Sequence, residues 1–378
     1  MVYVLIVLLL SYSMVVVRLT SAWNAAVAKG FAAGRGDDEE SPFVSVVVAA
    51  RNEQHTLPTL LEDLAGQDYP AFEVVVVDDD STDATAMVVQ QYAARDARFR
   101  LLTNAGAGKK HALTTAIATA RGTVIVTTDA DCRAGASWLS GMALYFRRPA
   151  VQMAFGPVRM RAGLTFFSAL QQLEFASLIG AAAATFQLGR ATLCNGANLA
   201  FRKAAFDAVG GYADNLHIPS GDDEFLMRKV LRDYPESLAF VNISQAIVTT
   251  APQPTVKDFA DQRLRWAGKW RHNTSFFTQV LAVYILLVQL AFAVLPVLVA
   301  VGVAPVVMLA VLAWRMIVEA GYLYAITRFL GVKFQTPAFV ALQFLYPFYV
   351  VCIGLLSWVM PYRWKGRTQR HASRPLAR

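Results

Sequence analysis

Residues 72–81 read FEVVVVDDDS, and this stretch decides the fold. A run of valines without polar alternation describes a strand covered on both faces. It stops at Asp78-Asp79-Asp80, and an open parallel sheet places its ligand crevice beyond the carboxyl ends of its strands. Clustered carboxylates are costly unless they bind something positive or take up protons. Working outward, residues 43–50 (FVSVVVAA) predict a strand before this one, and 99–102 and 123–128 (TVIVTT) predict two after it. The last again ends in acids, Asp129-Ala130-Asp131. The spacing of Leu57, Leu60, Leu61 and Leu64 predicts a helix over 54–67. Further helices are expected over 82–95, with Ser81 as N-cap, and over 109–120. Strands alternating with helices make this an α/β domain with a doubly wound, mostly parallel sheet. Residues 150–255 are less regular, with a semi-apolar segment at 164–188 and an additional strand or two.

The flanks are of a different character. The chain has 378 residues, 56% of them hydrophobic, and a net charge of +8. The apolar excess gathers at the two ends. Residues 1–18 read as an N-terminal transmembrane helix, and the missing basic region ahead of it argues for a signal anchor rather than a cleaved signal peptide. Arg18, Lys29 and Arg35 would lie inside. Residues 19–41 read as a linker, 42–255 as the sheet domain, 256–275 as a basic amphipathic helix at the membrane interface, with Trp266 and Trp270. Residues 276–361 would form a transmembrane region of about three spans, two of them within 276–314 with a turn near Pro296 to Pro305, and 362–378 a basic tail. Three C-terminal spans would place that tail opposite the sheet domain, against the preference of its arginines; either 316–330 also crosses, or the positive-inside tendency fails here. Basic charge beside apolar segments marks the cytoplasmic face of a membrane rather than a nucleic-acid site. Cys132, Cys194 and Cys352 have no metal-ligand spacing, and their odd number fits a reducing compartment.

Four groups of residues carry chemistry, each beside a plainer reading. Asp78-Asp79-Asp80-Ser81 can accept from sugar hydroxyls or base N–H groups, or merely cap the next helix. Asp129 and Asp131 alternate along an extended segment and can address one cation together; oxygen ligands suit Mg²⁺ or Mn²⁺. The plainer reading is a polar strand end. In Gly221-Asp222-Asp223-Glu224, adjacent acids raise one another's pKa, which suits a general base, while an acidic first turn also complements a helix dipole. In Gln262-Arg263-Leu264-Arg265-Trp266, Arg forks suit phosphate oxygens and Trp a sugar face, or the segment is simply interfacial. Gly106-Ala107-Gly108-Lys109-Lys110 is not a P-loop, because His111 follows Lys110 and Thr stands at 103.

Taken in order, VSVVVAARNE, VVVVDDDSTD, GKKHAL, TTDADC, NGANLAFRKAAFDAVGGY, GDDEFL and QRLRW resemble the family 2 glycosyltransferases, membrane-associated inverting enzymes of the GT-A fold. The resemblance covers about residues 43–272. It implies a Rossmann-like GT-A domain flanked by transmembrane helices. It implies that Arg51, Asn52, Glu53 and Asp79 line the nucleoside pocket with Asp78 beside it, and that Lys109 or Lys110 approaches the base or diphosphate. Asp129 and Asp131 would be the Asp-x-Asp pair, Asp131 the nearer metal ligand for Mg²⁺ or Mn²⁺. Residues Asn195 to Asn198 would border the sugars, and Asp223 would be the catalytic base, with Asp222 standing where the family has Glu. Gln262, Arg265 and Trp266 would be the Gln-x-x-Arg-Trp element near diphosphate and acceptor. The family usually has Gly where this chain has Asp80, so the turn there is expected to be strained or altered.

The function implied is transfer from a nucleotide-diphosphate sugar, a UDP-sugar above all, to a lipid-linked or polysaccharide acceptor. It would take place at the cytoplasmic face of the cell (inner) membrane, beside membrane lipids, in a multi-pass protein without a nucleic-acid partner. A processive polysaccharide synthase of the same family is the alternative. A catalytically inactive sugar-nucleotide-binding protein should lack Asp129, Asp131 or Asp223, and all are present. A transporter should carry paired polar residues within its spans, and only Arg315 and Glu319 qualify, four apart on one helix.

Overall fold

The computed structural model describes residues 2–28, 41–218, 220–269, 275–365 and 367–369. Helix α1 is Val2–Ala28. It runs past Arg18 into the expected linker, because 19–28 (LTSAWNAAVA) is rich in Ala and holds neither Gly nor Pro. The rest of that linker, with Lys29 and Arg35, lies outside the described residues.

Strand β1 (Val44–Ala50), helix α2 (Leu57–Ala65), β2 (Phe72–Asp78), α3 (Thr85–Ala93), β3 (Phe99–Thr103), α4 (Lys109–Thr119) and β4 (Val124–Thr127) alternate as the pattern predicts. Helix α3 starts later than expected. Ser81 does not cap it; its Oγ accepts from the Asn52 N–H at 3.0 Å, and Asp83 accepts from the Thr85 N–H at 3.0 Å. Next come α5 (Trp138–Ala143), β5 (Met153–Phe155), β6 (Val158–Met160) and α6 (Phe166–Gln187). They are followed by β7 (Leu199–Arg202), α7 (Lys203–Ala208), α8 (Asp222–Asp233), β8 (Leu238–Phe240) and β9 (Val248–Thr250).

Seven strands form one sheet in the order β3-β2-β1-β4-β7-β5-β8. β3, β2, β1 and β4 are parallel, and β7 runs antiparallel to both β4 and β5. Val46 sits between Val74 and Val126 in register, and all three are fully buried. The chain winds outward from β1 to β3 and then returns to β4 on the other side, so the switch point lies between β1 and β4. At the opposite strand ends, Glu73 is fully buried and accepts from Ser45 Oγ (2.7 Å), the Arg121 N–H (2.6 Å) and Arg100 Nη1 (3.0 Å).

The chain divides into two compact units. One is Ala26–Arg161 with Leu193–Ala251, which holds the sheet; the other is Met1–Ala25, Ala162–Thr192 and Pro252–Arg378. The expected single block 42–255 is therefore interrupted by α6. That helix is apolar nearly all round, the mark of a helix enclosed by other helices rather than laid on a sheet. It is opened by a capping box between Thr165 and Ser168.

The helical unit also contains α9 (Val256–Gly268), α10 (Phe276–Ala300), α11 (Pro305–Leu330), α12 (Thr336–Leu356) and a short hairpin of β10 (Tyr362–Trp364) and β11 (Arg367–Gln369). Four helices among the described residues are long and apolar enough to cross a membrane: Leu5–Ala28, Phe276–Ala300, Pro305–Leu330 and Thr336–Leu356. Residues 316–330 make no crossing of their own; they complete α11, whose start at Pro305 takes the turn beyond Pro296. Trp270 and the tail beyond Gln369 lie outside the described residues. Leu9 packs against Val288, Phe292, Leu295 and Met308. Glu319 accepts from Tyr12 OH (2.6 Å), Arg315 Nε (2.8 Å) and Gln343 Nε2 (2.9 Å). The Arg315–Glu319 pair noted in the sequence is thus one part of a wider network joining α1, α11 and α12.

Candidate active site

The acids that end β2 and β4 meet the N-termini of α4 and α8 at the carboxyl end of the sheet. Gly108 caps α4 at φ 92°, a conformation that favours glycine. Its N–H donates to Asp79 Oδ1 at 2.9 Å, and Asn104 Nδ2 donates to the same oxygen at 2.7 Å. Asp79, 1% exposed, thereby ties the 104–108 loop to the strand end. Asp78 Oδ2 accepts from the Ser81 N–H at 3.3 Å, while its Oδ1 is buried without a hydrogen-bond partner. Asp80 adopts φ 60°, the left-handed conformation natural to glycine and tolerated by Asp, so the departure noted at this turn is accommodated. Arg51 Nη1 donates to the Asp79 and Asp80 carbonyls. Glu53 is buried, accepts from Thr56 Oγ1 at 2.6 Å, and starts α2 with its carbonyl.

The two lysines of α4 part company. Lys109 Nζ bridges Asp129 Oδ1 (2.7 Å) and Asp222 Oδ2 (3.2 Å). Lys110 turns inward, 4% exposed, and donates to the Asn215 carbonyl at 2.8 Å with its ammonium over the Phe225 ring. Burial opposes the charge on Lys109, but the Asp129 and Asp222 carboxylates outweigh it and raise the ammonium pKa. Burial likewise pushes Asp222 up, and the Lys109 and Lys110 ammoniums more than offset it, holding its carboxyl below the usual range.

Gly221 caps α8 at φ 79°, placing Asp222 and Asp223 in the first turn. Asp223 Oδ2 accepts from the Gly196 N–H at 3.0 Å and its Oδ1 from the Glu224 N–H at 2.7 Å. Gly196 was missing from the sequence reading as an individual position, and its role is steric. A Cβ there would stand 3.1 Å from Asp222 Oδ2 and 3.5 Å from Lys109 Nζ. Asn198 differs from its expected place beside the sugars. It is fully buried, accepts from Trp138 Nε1 and donates to the Pro157 and Ala246 carbonyls, so it braces the sheet unit.

Ligand atoms of Asp129, Asp131 and Cys132 lie within 4.8 Å of one another. The two carboxylates fit a hard divalent cation, and Asp129 already engages the Lys109 ammonium. Cys132 is a poorer donor, because burial first and the Asp131 and Asp129 charges second keep its thiol protonated.

The sheet unit thus brings together Asp79, Lys109, Asp129, Asp222 and Asp223. Gln262, Arg265 and Trp266 lie on α9 in the helical unit. There Gln262 Oε1 accepts from Arg263 Nη1, and the Arg263 guanidinium sits 4.3 Å from the Trp266 ring centroid.

Residues 45–210 match the profile of glycosyl transferase family 2. Over that span the chain is similar to the family. Among curated relatives, a beta-monoglucosyldiacylglycerol synthase of Nostoc sp. is 28% identical over 251 residues, 64% of this chain and 52% of the relative. An N-acetylglucosaminyltransferase of Rhizobium meliloti is 30% identical over 244 residues, 62% of this chain and 57% of the relative. The chain spans little more than half the length of these curated relatives. Among solved structures, the mannosyltransferase PcManGT from Pyrobaculum calidifontis, in complex with GDP-Man and Mn²⁺, superposes with a TM-score of 0.63. It is 20% identical and covers 95% of this chain and 99% of its own, which establishes the shared GT-A fold.

Proposed function

We propose that this chain is an inverting glycosyltransferase that moves a sugar from a nucleotide-diphosphate sugar to a lipid-linked or glycan acceptor at the cytoplasmic face of the membrane. The observation that carries the proposal is Lys109, whose ammonium joins the cation-competent Asp129 to the acid pair at the start of α8. Charge for a departing diphosphate and a carboxylate for an attacking hydroxyl thus stand one side chain apart.

Asp223 is the base. It takes the proton of the acceptor hydroxyl as that oxygen bonds to the anomeric carbon. The bond from that carbon to the diphosphate oxygen breaks, and the nucleotide diphosphate leaves with the electron pair. Attack opposite the leaving group inverts the anomeric centre. Asp222, held ionised by Lys109, is the weaker base and serves to aim the ammonium, which donates to the diphosphate as charge develops. A Mg²⁺ or Mn²⁺ ion held by Asp129 and Asp131 would supply further positive charge against the leaving group. Arg51, Glu53, Asp78 and Asp79 frame the nucleoside side, while Lys110 ties α4 to Asn215 and Phe225 behind the site. Gln262, Arg265 and Trp266 serve diphosphate and acceptor.

The acceptor class is supported by the lipid product in the name of the Nostoc relative, and the membrane setting by four helices of spanning length. Cys132 and Cys194, the cysteines of the sheet unit, form no disulfide, which fits a reducing, cytoplasmic setting for it.

The test is nucleotide diphosphate release by the detergent-purified chain with Mg²⁺ or Mn²⁺ and a panel of UDP- and GDP-sugars. Mixed phosphatidylglycerol and diacylglycerol vesicles serve as acceptor probe. Asp223→Asn should lower release by about 10²–10⁴-fold. Release untouched by that change would remove Asp223 from the role of base.

A further inference from the structure

Arg263 is 3% exposed and Glu174 is 6% exposed. On α9 the buried side chains are Arg263 and Leu264, while Gln262, Arg265 and Trp266 flank them half-buried. Its Nε donates to Glu174 Oε1 of α6 at 3.2 Å, its Nη2 pairs with Glu174 Oε2, and its Nη1 donates to Gln262 Oε1. The guanidinium lies over two rings, 4.4 Å from the Phe259 centroid and 4.3 Å from that of Trp266. Tyr349 OH of α12 donates to Glu174 Oε1 at 3.3 Å, and Phe175 of α6 packs on Trp266 at 6.3 Å.

A buried guanidinium is tolerated only where a carboxylate meets it, because removing one partner leaves an uncompensated charge. Each residue along a helix turns the face by about 100°. Pinning Arg263 to Glu174 therefore fixes the rotation of α9, and with it the directions of Gln262 and Trp266. The planar fork adds a second constraint, since one nitrogen edge takes the carboxylate while another takes the Gln262 amide.

We propose that Arg263, clamped by Glu174 and Tyr349, is a positioning residue that sets the Gln262 amide and the Trp266 ring for the transfer reaction. The proposal rests on the reading of Gln262 and Trp266 as contacts to diphosphate and acceptor. Arg263 itself touches no substrate. It acts through its neighbours, and a misplacement of about 1 Å at such groups can cost about 10²-fold in rate.

A double-mutant cycle on the full chain tests this, reading transfer in the assay above and the emission of Trp266, isolated as the difference from Trp266→Phe. Arg263→Ala should lower transfer about 10- to 100-fold and shift the Trp266 emission, while metal-dependent nucleotide binding persists. In the Trp266→Phe background, Arg263→Ala should add less than about threefold, because the two act as one unit. Arg263→Lys keeps the charge but not the fork, so it should restore stability more fully than transfer. If Arg263→Ala fails to fold, Arg263→Lys and Tyr349→Phe carry the same two readouts. Losses that multiply independently, or an unmoved Trp266 emission, would overturn the proposal alone. Transfer unchanged in Trp266→Phe would overturn the reading of the motif and the proposal with it.

Discussion

Replacing Lys109 by Met removes an ammonium and keeps most of the apolar stem. Asp129 Oδ1 and Asp222 Oδ2 both lie within 3.2 Å of Lys109 Nζ, so these oxygens stand within about 6 Å of one another. At an effective dielectric of about 20, two unit charges about 6 Å apart repel by about 3 kcal/mol. The Asp129 side chain is 39% exposed, and solvent screening brings the expected destabilisation down to about 1–2 kcal/mol. In a domain of this size that is a fall of about 2–8 °C in melting temperature. The sign of the metal effect is opposite. With no ammonium competing for Asp129, Mn²⁺ should bind about 5- to 10-fold more tightly, equivalent to about 1–1.4 kcal/mol, and saturating Mn²⁺ should restore the lost stability. Transfer should still fall, since nothing then donates to the diphosphate from α4. Thermal unfolding with and without Mn²⁺, a Mn²⁺ titration and the nucleotide diphosphate release of each protein measure these quantities. Weaker Mn²⁺ binding by Lys109→Met, with an unchanged melting temperature, would refute the assignment of Lys109 as the counter-charge of the two acids.

Asp222→Asn should slow transfer less than Asp223→Asn, because it loosens Lys109 rather than removing the base; equal losses in nucleotide diphosphate release would make the pair a single functional unit. Gly196→Ala should reduce transfer about tenfold, with its Cβ crowding Asp222 and Lys109, while the melting temperature changes little; unaltered kinetics would remove Gly196 from the site. Glu73 is buried, which alone would raise its carboxyl, but the Arg121 N–H, Ser45 Oγ and the guanidiniums of Arg100 and Arg121 bring it below its ordinary 4.5. Its contribution is therefore fully present above about pH 4.5 and lost as pH falls through the lower folded value. Glu73→Gln should cost about 3 kcal/mol at neutral pH, with the difference from the unchanged chain shrinking in acid unfolding curves; a gap constant between pH 6 and 3 would contradict this.

The parallel half of the sheet was legible because its strands are buried on both faces, and FVSVVVAA, FEVVVV and TVIVTT carry that burial as mainly apolar runs, with Ser45 and Glu73 answering one another inside. The short strands β5 to β9 were not, since three or four residues are too few to establish a period. The acids of the site were visible as clusters, but the division of labour between Lys109 and Lys110 was not. Adjacent helical residues point about 100° apart, and only the packing of Phe225 and Asn215 says which one faces inward. Asn198 looked functional because a polar residue in a motif suggests a ligand, and its three buried partners come from segments distant in sequence. Glu174 left one signal that went unused, a lone acid within the apolar run 164–188, which a buried charge explains only through a basic partner elsewhere.

The place of α6 in the chain sets a problem of timing during synthesis. Glu174 emerges 89 residues before Arg263 and 175 before Tyr349. At elongation rates of about 5–20 residues per second, that carboxylate waits about 5–20 seconds for its guanidinium and about twice as long for its phenol. Throughout that interval α6 is an apolar helix with an unanswered charge, and the strands that complete the sheet are made only after it. The newborn chain must therefore shelter α6, in lipid or on a chaperone, until the last third of the protein arrives.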